Sequence, residues 1–170
     1  MAFITTRWFS LFMEMSYEQW NSIIGGNLGG TFLCSQAAAP YMMKQNYGVI
    51  INIASVAAHG GVPGMAAYCA AKAGVQGLTR VLAVEWAPYN ITVNAINPGM
   101  TRTGEAERMQ REVPELLEKR EERVPLGRIA EVSDIANMAL FLANPQSHYI
   151  TGQEFTVDGG MFAIHPGYVK

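Results

Sequence analysis

Two short β-branched runs, separated by one long helix rich in small residues, constrain this chain most. Gly48-Val49-Ile50-Ile51-Asn52-Ile53-Ala54 and Ile91-Thr92-Val93-Asn94-Ala95-Ile96-Asn97 have the length and composition of buried strands. Between them, Ala66 to about Ala87 reads as a helix. Its Ala70, Ala71, Ala73, Gly74 and Gly77 suit close packing against another helix. Strands alternating with helices point to an α/β fold. In open α/β sheets, ligands bind outside the carboxyl ends of the strands. Ser55 stands at that end of the first run, and Pro98-Gly99 follows the second.

The long helix opens on Tyr68-Cys69-Ala70-Ala71-Lys72. Positions i and i+4 share a helix face, so phenol and ammonium point the same way. A neighbouring ammonium favours phenolate and is expected to lower the Tyr68 pKa from its reference of about 10. Tyr68 is then a candidate acid/base. The pair alone is a weak signal, because many helices carry a half-buried Tyr and a solvated Lys four apart.

Taken together, Asn27, Ser55, Tyr68 and Lys72, interleaved in this order with the two strands, resemble the short-chain dehydrogenase/reductase family. The resemblance runs from about Met15 to Gly160. It is nearest in character to the 3-oxoacyl-(acyl carrier protein) reductases and glucose dehydrogenases. It implies a Rossmann-like, doubly wound parallel sheet in three α/β/α layers, of which residues 1–170 would be the C-terminal part, as one domain. It implies carbonyl reduction or alcohol oxidation with NADP or NAD. In that reading Tyr68 passes a proton to the carbonyl oxygen and Ser55 polarises it. Lys72 lowers the Tyr68 pKa and binds the nicotinamide ribose, and the Asn27 carbonyl anchors a relay water. Pro98-Gly99-Met100-Thr101-Arg102-Thr103 resembles the family's P-G-x-x-x-T turn. Pro98, Gly99, Thr101 and Thr103 would then contact the nicotinamide amide and the cofactor phosphate. The ending Val157-Asp158-Gly159-Gly160 also matches, and a homodimer or homotetramer is implied.

One departure is large. The family's T-G-x-x-x-G-x-G turn after a first strand, and its N-N-A-G segment, do not occur in this sequence. Those residues and the helix N-terminus behind them would hold a pyrophosphate. The expectation is a truncated domain with weak or absent cofactor binding. The strand at 48–54 would then have an unpaired edge, covered by residues 2–9 or by a second chain. Gly25-Gly26-Asn27-Leu28-Gly29-Gly30 is not read as a substitute phosphate loop, lacking a preceding strand and a G-x-G-x-x-G. It reads as a kink or a close helix contact. Two alternatives stay open: an ester hydrolase using Ser55, Tyr68 and Lys72 without a cofactor, and a non-catalytic fragment.

Composition excludes other classes. The formal net charge is -2, with 49% apolar residues, which gives no basic footprint for nucleic acid and predicts a globular chain. No apolar run reaches transmembrane length, and Met1 to Trp8 lacks a signal-peptide pattern. Cys34 and Cys69 read as small buried residues, neither a disulfide nor a metal pair, and no metal site is expected. The picture is cytoplasmic.

The rest of the chain is read locally. Ser16-Tyr17-Glu18-Gln19 is a capping box opening a helix that reaches about Asn46. Residues 1–13 form a strand or an irregular arm. His59 lies in the turn-rich loop 59–64 as a substrate-wall or solvent residue. Arg102 to Arg128 holds seven acidic and seven basic residues. It reads as a solvated helical segment with pairs such as Glu115–Lys119, and in the family as a lid. Glu131 to Asn144 is an amphipathic helix with Ile135, Met138, Ala139 and Leu142 inward. Glu154 to Asp158 is the last strand.

Overall fold

In a computed structural model the structure describes residues 10–164, so residues 2–9 and the edge-strand expectation placed on them lie outside the described residues. The chain order is α1 (Tyr17–Ile24), a wide π turn (Gly25–Gly29), α2 (Gly30–Gln45), β1 (Gly48–Ile53), α3 (Ala66–Trp86) and β2 (Ile91–Pro98). Then come α4 (Gly104–Glu112), α5 (Pro114–Glu121), α6 (Val132–Ala143) and β3 (Glu154–Val157). The described sheet runs β1-β2-β3. Both pairings are parallel, with Ile53 opposite Ile96 and Ala95 opposite Glu154. Among the described residues, β1 pairs only with β2.

The expected strand at 91–97 is buried along almost all of its length. That follows from cover on both faces, as parallel sheets require. One face turns Ile91 and Val93 toward Ala39, Leu82, Ala83 and Trp86 of α2 and α3. Ala95 joins Ala54 and Val75 in a second cluster, against which Leu28 packs. α6 crosses the other face and touches all three strands. Its Leu142 is buried, with Ile135, Met138 and Ala139 half-buried beside it. The α/β/α layering is therefore present.

Local chemistry fixes the ends. Ser16 Oγ accepts from the Gln19 N–H at 3.2 Å, and the Gln19 side chain accepts from the Ser16 N–H at 2.9 Å. α2 stops at Asn46, which takes the left-handed conformation (φ 51°) that Asn tolerates better than most residues. The glycine-rich stretch inside the long helix is a π turn, not a phosphate loop. Leu28 within it lies so close to α3 that a Cβ on Gly74 would stand 2.7 Å from Leu28 Cδ2. The expected close helix contact is thus made, with Gly74 as the small partner. At residues 10–14 there is no strand: Phe12–Glu14 is one 3₁₀ turn, and the Ser10 N–H donates to the Gly64 carbonyl.

Three expectations are corrected. Cys34 is exposed and Cys69 half-buried, both free, because Cys34 lies on the side of α2 away from its core contacts. The charged segment is not wholly solvated: Ala106 and Leu117 are buried with Ile129, and Met100 packs on them. Among the described residues, that segment has an i,i+4 ion pair at Arg108–Glu112, 4.0 Å apart, rather than at Glu115–Lys119, and Arg102 reaches Glu121 and Glu131.

α3 is fastened to the sheet by polar contacts as well as apolar ones. Asn52 Nδ2 of β1 donates to Thr79 Oγ1 at 2.9 Å, and that hydroxyl donates to the Val75 carbonyl at 2.8 Å. Both side chains are buried. Thr79→Val keeps the shape but strands the Asn52 amide, and a buried unsatisfied donor costs about 1–3 kcal/mol. Urea unfolding should show a lower midpoint by that amount with an unchanged slope; an unchanged midpoint would mean that Asn52 finds another acceptor.

Candidate active site

The parallel register brings the site together. The Ala54 N–H donates to the Ile96 carbonyl at 2.8 Å, so the chain leaves β1 at Ser55 beside the place where β2 ends at Asn97-Pro98. Ser55 is extended (φ -170°) and caps the 3₁₀ turn Val56–Ala58, its Oγ accepting from the Ala57 N–H at 3.1 Å. The loop then returns to α3, whose first turn carries Tyr68.

The Ser55 hydroxyl stands close enough to the Tyr68 phenol to favour its phenolate. Burial pushes the Tyr68 pKa above its usual value; Ser55 pulls it down, and the nearby Cys69 thiol adds a smaller upward push. The expected lowering by Lys72 is not found. Lys72 Nζ lies 5.6 Å from the Tyr68 ring centroid and donates instead to the Ile53 carbonyl at 2.9 Å. Burial lowers the Lys72 pKa. Desolvation disfavours the charged form of each group.

Asn27 sits in the π turn, a frequent mark of functional positions. Its amide donates to the Ile23 carbonyl at 2.9 Å, and its carbonyl accepts from Thr31 Oγ1 at 3.0 Å. The Asn27 carbonyl keeps its second lone pair for a further donor only if the Gly30 N–H, which also reaches it, gives way. Asn27, Thr31, Ser35, Asn52, Ile53 and Lys72 line a groove of about 610 Å³ along β1. Asn27 and Lys72 therefore line the same groove.

At the end of β2, the Gly99 N–H donates to the Val157 carbonyl at 2.9 Å. A Cβ on Gly99 would stand 2.8 Å from the Asp158 Cα, so backbone against backbone requires glycine here. Thr101 Oγ1 donates to the Gly99 carbonyl at 3.1 Å. Thr103 precedes α4, and its side chain makes no capping bond. Pro98, Gly99, Thr101 and Thr103 thus form one turn at the same end of the sheet as Ser55.

Sequence reasoning missed Gln76 and Asn97. Both are buried, and with His59 they join beneath the loop that follows Ser55. A Gln two turns past Tyr68 on the same helix face, within an apolar helix, was the available signal. Among the described residues, no group of three His, Cys, Asp or Glu could hold a metal ion. No helix among them is long and apolar enough to cross a membrane.

The model of a family described as enoyl-(acyl carrier protein) reductase matches residues 1–162. The chain belongs to the short-chain dehydrogenase/reductase family. It is 43% identical over 153 residues to 3-oxoacyl-[acyl-carrier-protein] reductase of Staphylococcus aureus, covering 90% of this chain and 61% of that protein. To the enzyme of the same name from Thermotoga maritima it is 41% identical over 152 residues, 89% of this chain and 61% of that one. The fold superposes on acetoin dehydrogenase from Enterobacter cloacae with a TM-score of 0.84 at 36% identity, over 95% of this chain and 63% of that one. It superposes on a short-chain dehydrogenase/reductase from Burkholderia thailandensis with a TM-score of 0.87 at 30% identity, over 92% and 61%. The chain thus spans 61% of the length of these curated reductases. It is an oxidoreductase-family chain with that family's sheet and layers.

Because Ser55 is what draws the Tyr68 pKa down, Ser55→Ala should raise it further. Ultraviolet titration of the phenolate, with Tyr68→Phe subtracted, reads this shift. A downward movement would show that Ser55 is not the donor.

Proposed function

We propose that the chain carries the proton-transfer site of an NAD(P)-dependent carbonyl reductase or alcohol dehydrogenase, acting on a small carbonyl or alcohol. The observation that supports this most is the placing of Ser55 near Tyr68 at the carboxyl end of β1, where it pulls the phenol pKa down, beside the Gly99 turn. An upward-shifted Tyr68 is a protonated phenol at neutral pH, which suits a general acid. It gives its proton to a carbonyl oxygen as that oxygen becomes an alkoxide. The Ser55 hydroxyl, buried at 9% exposure, turns from Tyr68 to the same oxygen and stabilises its growing charge. Lys72, half-buried nearby, contributes positive charge once its ammonium leaves the Ile53 carbonyl. Asn27, lining the same groove, would offer its backbone carbonyl to a proton-relay water once the Gly30 N–H gives way.

A nicotinamide cofactor would supply the hydride. The residues present fit its nicotinamide end. Lys72 and Tyr68 offer donors for ribose hydroxyls, and Gly99 keeps the turn free of a side chain. The Thr101 and Thr103 hydroxyls would offer the amide and phosphate contacts. The sequence has no glycine-rich turn for a pyrophosphate, so affinity in residues 1–170 rests on these few contacts and is expected to be weak.

The ester-hydrolase alternative needs Tyr68 as a phenolate base toward Ser55. The upward shift of Tyr68 works against it. Two further parts of the reading are supported more lightly. Free cysteines agree with a reducing cytoplasm. The exposed Leu33 and Tyr41 of α2 and Val84 of α3 offer an apolar face for a homodimer or homotetramer.

Fluorescence titration with NADPH and NADH, followed by a screen of carbonyl substrates, tests the proposal. Saturable binding and turnover are expected, with Tyr68→Phe slowing turnover by about 10²–10⁴-fold while binding persists. Absence of binding up to millimolar cofactor, or equal turnover in Tyr68→Phe, would overturn it.

A further inference from the structure

A polar knot lies just behind the proposed site. His59 Nε2 is 3.0 Å from Gln76 Nε2 and 3.0 Å from Asn97 Nδ2, while Gln76 Nε2 also donates to Asn97 Oδ1 at 3.0 Å. Asn97 is fully buried and Gln76 is 6% exposed. Amide nitrogens only donate. With both amides oriented this way, His59 Nε2 is the acceptor, its one lone pair shared between them, and the ring carries its proton on Nδ1. The Phe162 ring meets the imidazole edge-on, with centroids 6.1 Å apart. Glu154 Oε2 stands 3.8 Å from Nε2 and is itself held by Arg80.

Each of the three partners belongs to a different part of the site. His59 is four residues past Ser55, at the end of the turn that Ser55 caps. Gln76 is one turn past Lys72 on α3. Asn97 is the residue before Pro98-Gly99. The knot is where the Ser55 loop, the Tyr68–Lys72 helix and the Gly99 turn are joined by side chains. A second tie points the same way: Cys69 Sγ, next to Tyr68, reaches the Gly60 carbonyl, next to His59, at 3.8 Å.

We infer that His59 is a positioning residue: its unprotonated Nε2 accepts from Gln76 and Asn97 and so fixes Ser55, Tyr68 and Gly99 relative to one another. It does not touch the reacting atoms. The inference rests on reading those three segments as one site. Its reason is energetic. Without His59, Gln76 keeps only Asn97 Oδ1 and the buried Asn97 amide loses its acceptor; a stranded donor must either move or stay unsatisfied, and the segment that carries it would move with it. Reacting groups displaced by about 1 Å lose up to about 10²-fold in rate.

The test compares wild type with His59→Leu, which removes the acceptor, and His59→Gln, whose side-chain carbonyl can replace it. Long-range ¹⁵N NMR of the wild-type ring needs no variant, and should show Nε2 bare and Nδ1 protonated at neutral pH; the opposite tautomer overturns the acceptor role. Amide hydrogen exchange of Ala58, Cys69 and Gly99 should speed up about tenfold in His59→Leu and return toward wild type in His59→Gln. Exchange in the β1–β2 ladder at Ile50 and Val93 should stay put. Uniform acceleration would mean general destabilisation, and no acceleration would mean no positioning; either overturns the inference. If His59→Leu does not fold, Gln76→Leu removes one donor and is read in the same way. Where turnover is measurable, kcat should fall about tenfold in His59→Leu with KM little changed, and an unchanged kcat overturns the role. A wild type with no turnover would count against the proposed function alone, since the tautomer and the exchange pattern still decide this inference.

Discussion

The parallel ladder between β1 and β2 is the contact on which the rest depends. Parallel strands cannot be joined by a tight turn, so the chain must cross the sheet between them. Here α3 makes that crossing and lands its first turn beside the carboxyl ends of both strands. Pairing Ile53 with Ile96 then decides which residues leave the sheet together: Ser55 from one strand and Pro98-Gly99 from the next. A slip of one residue would turn Asn52 away from Thr79 and Asn97 away from Gln76. Register and site geometry are the same fact seen from two sides.

Apolar burial alone would not hold that register tightly. Ile91, Val93 and Ala95 can slide against alanines and leucines at small cost. The buried polar pairs cannot, because a displaced donor loses its acceptor in a place without water. Asn52 with Thr79 and Gln76 with Asn97 lie along one side of α3, with the more exposed Arg80–Glu154 pair beyond them. They act as pins between helix and sheet, and they lie toward the chemically interesting end. On the far side of the sheet, Asn94 does similar work for a loop. It donates to the Ile150 carbonyl at 2.8 Å and accepts from the Gln153 N–H at 3.0 Å, which sets where β3 begins.

What could be read from the sequence was local or periodic. The capping box at Ser16, the strand at 91–97, the helix from Ala66 and the inward face of α6 each depend on residues a few positions apart. Their boundaries in the structure agree within a residue or two. The Tyr68–Lys72 spacing and the Gly99 turn were legible for the same reason. The distant contacts were not. Nothing local says that Gln76 meets His59 and Asn97, since those residues are 17 and 21 positions away. Nor does the sequence show that Cys34 faces outward, or that Ala106 and Leu117 in a run of charges find a small core of their own. The sign of the Tyr68 shift failed for a related reason. Helix spacing shows that Tyr68 and Lys72 share a face; it does not show what else competes for the ammonium.

That competitor is the edge of β1. The Ala54 N–H points to β2, so the peptide groups of Ile53 point to the other side, where the described residues supply no strand. Its carbonyl lies at the groove wall and takes the Lys72 ammonium as its donor. A half-buried ammonium needs acceptors, and a backbone carbonyl is a better one than the face of a phenol ring at 5.6 Å. The same choice leaves Tyr68 with only Ser55 to offset its desolvation, so its pKa rises. Proton affinity at the phenol is thus tied, through one lysine, to whatever satisfies the outer edge of the first strand. A donor from a neighbouring strand or ligand at the Ile53 carbonyl would return Lys72 toward Tyr68 and pull the phenol back down.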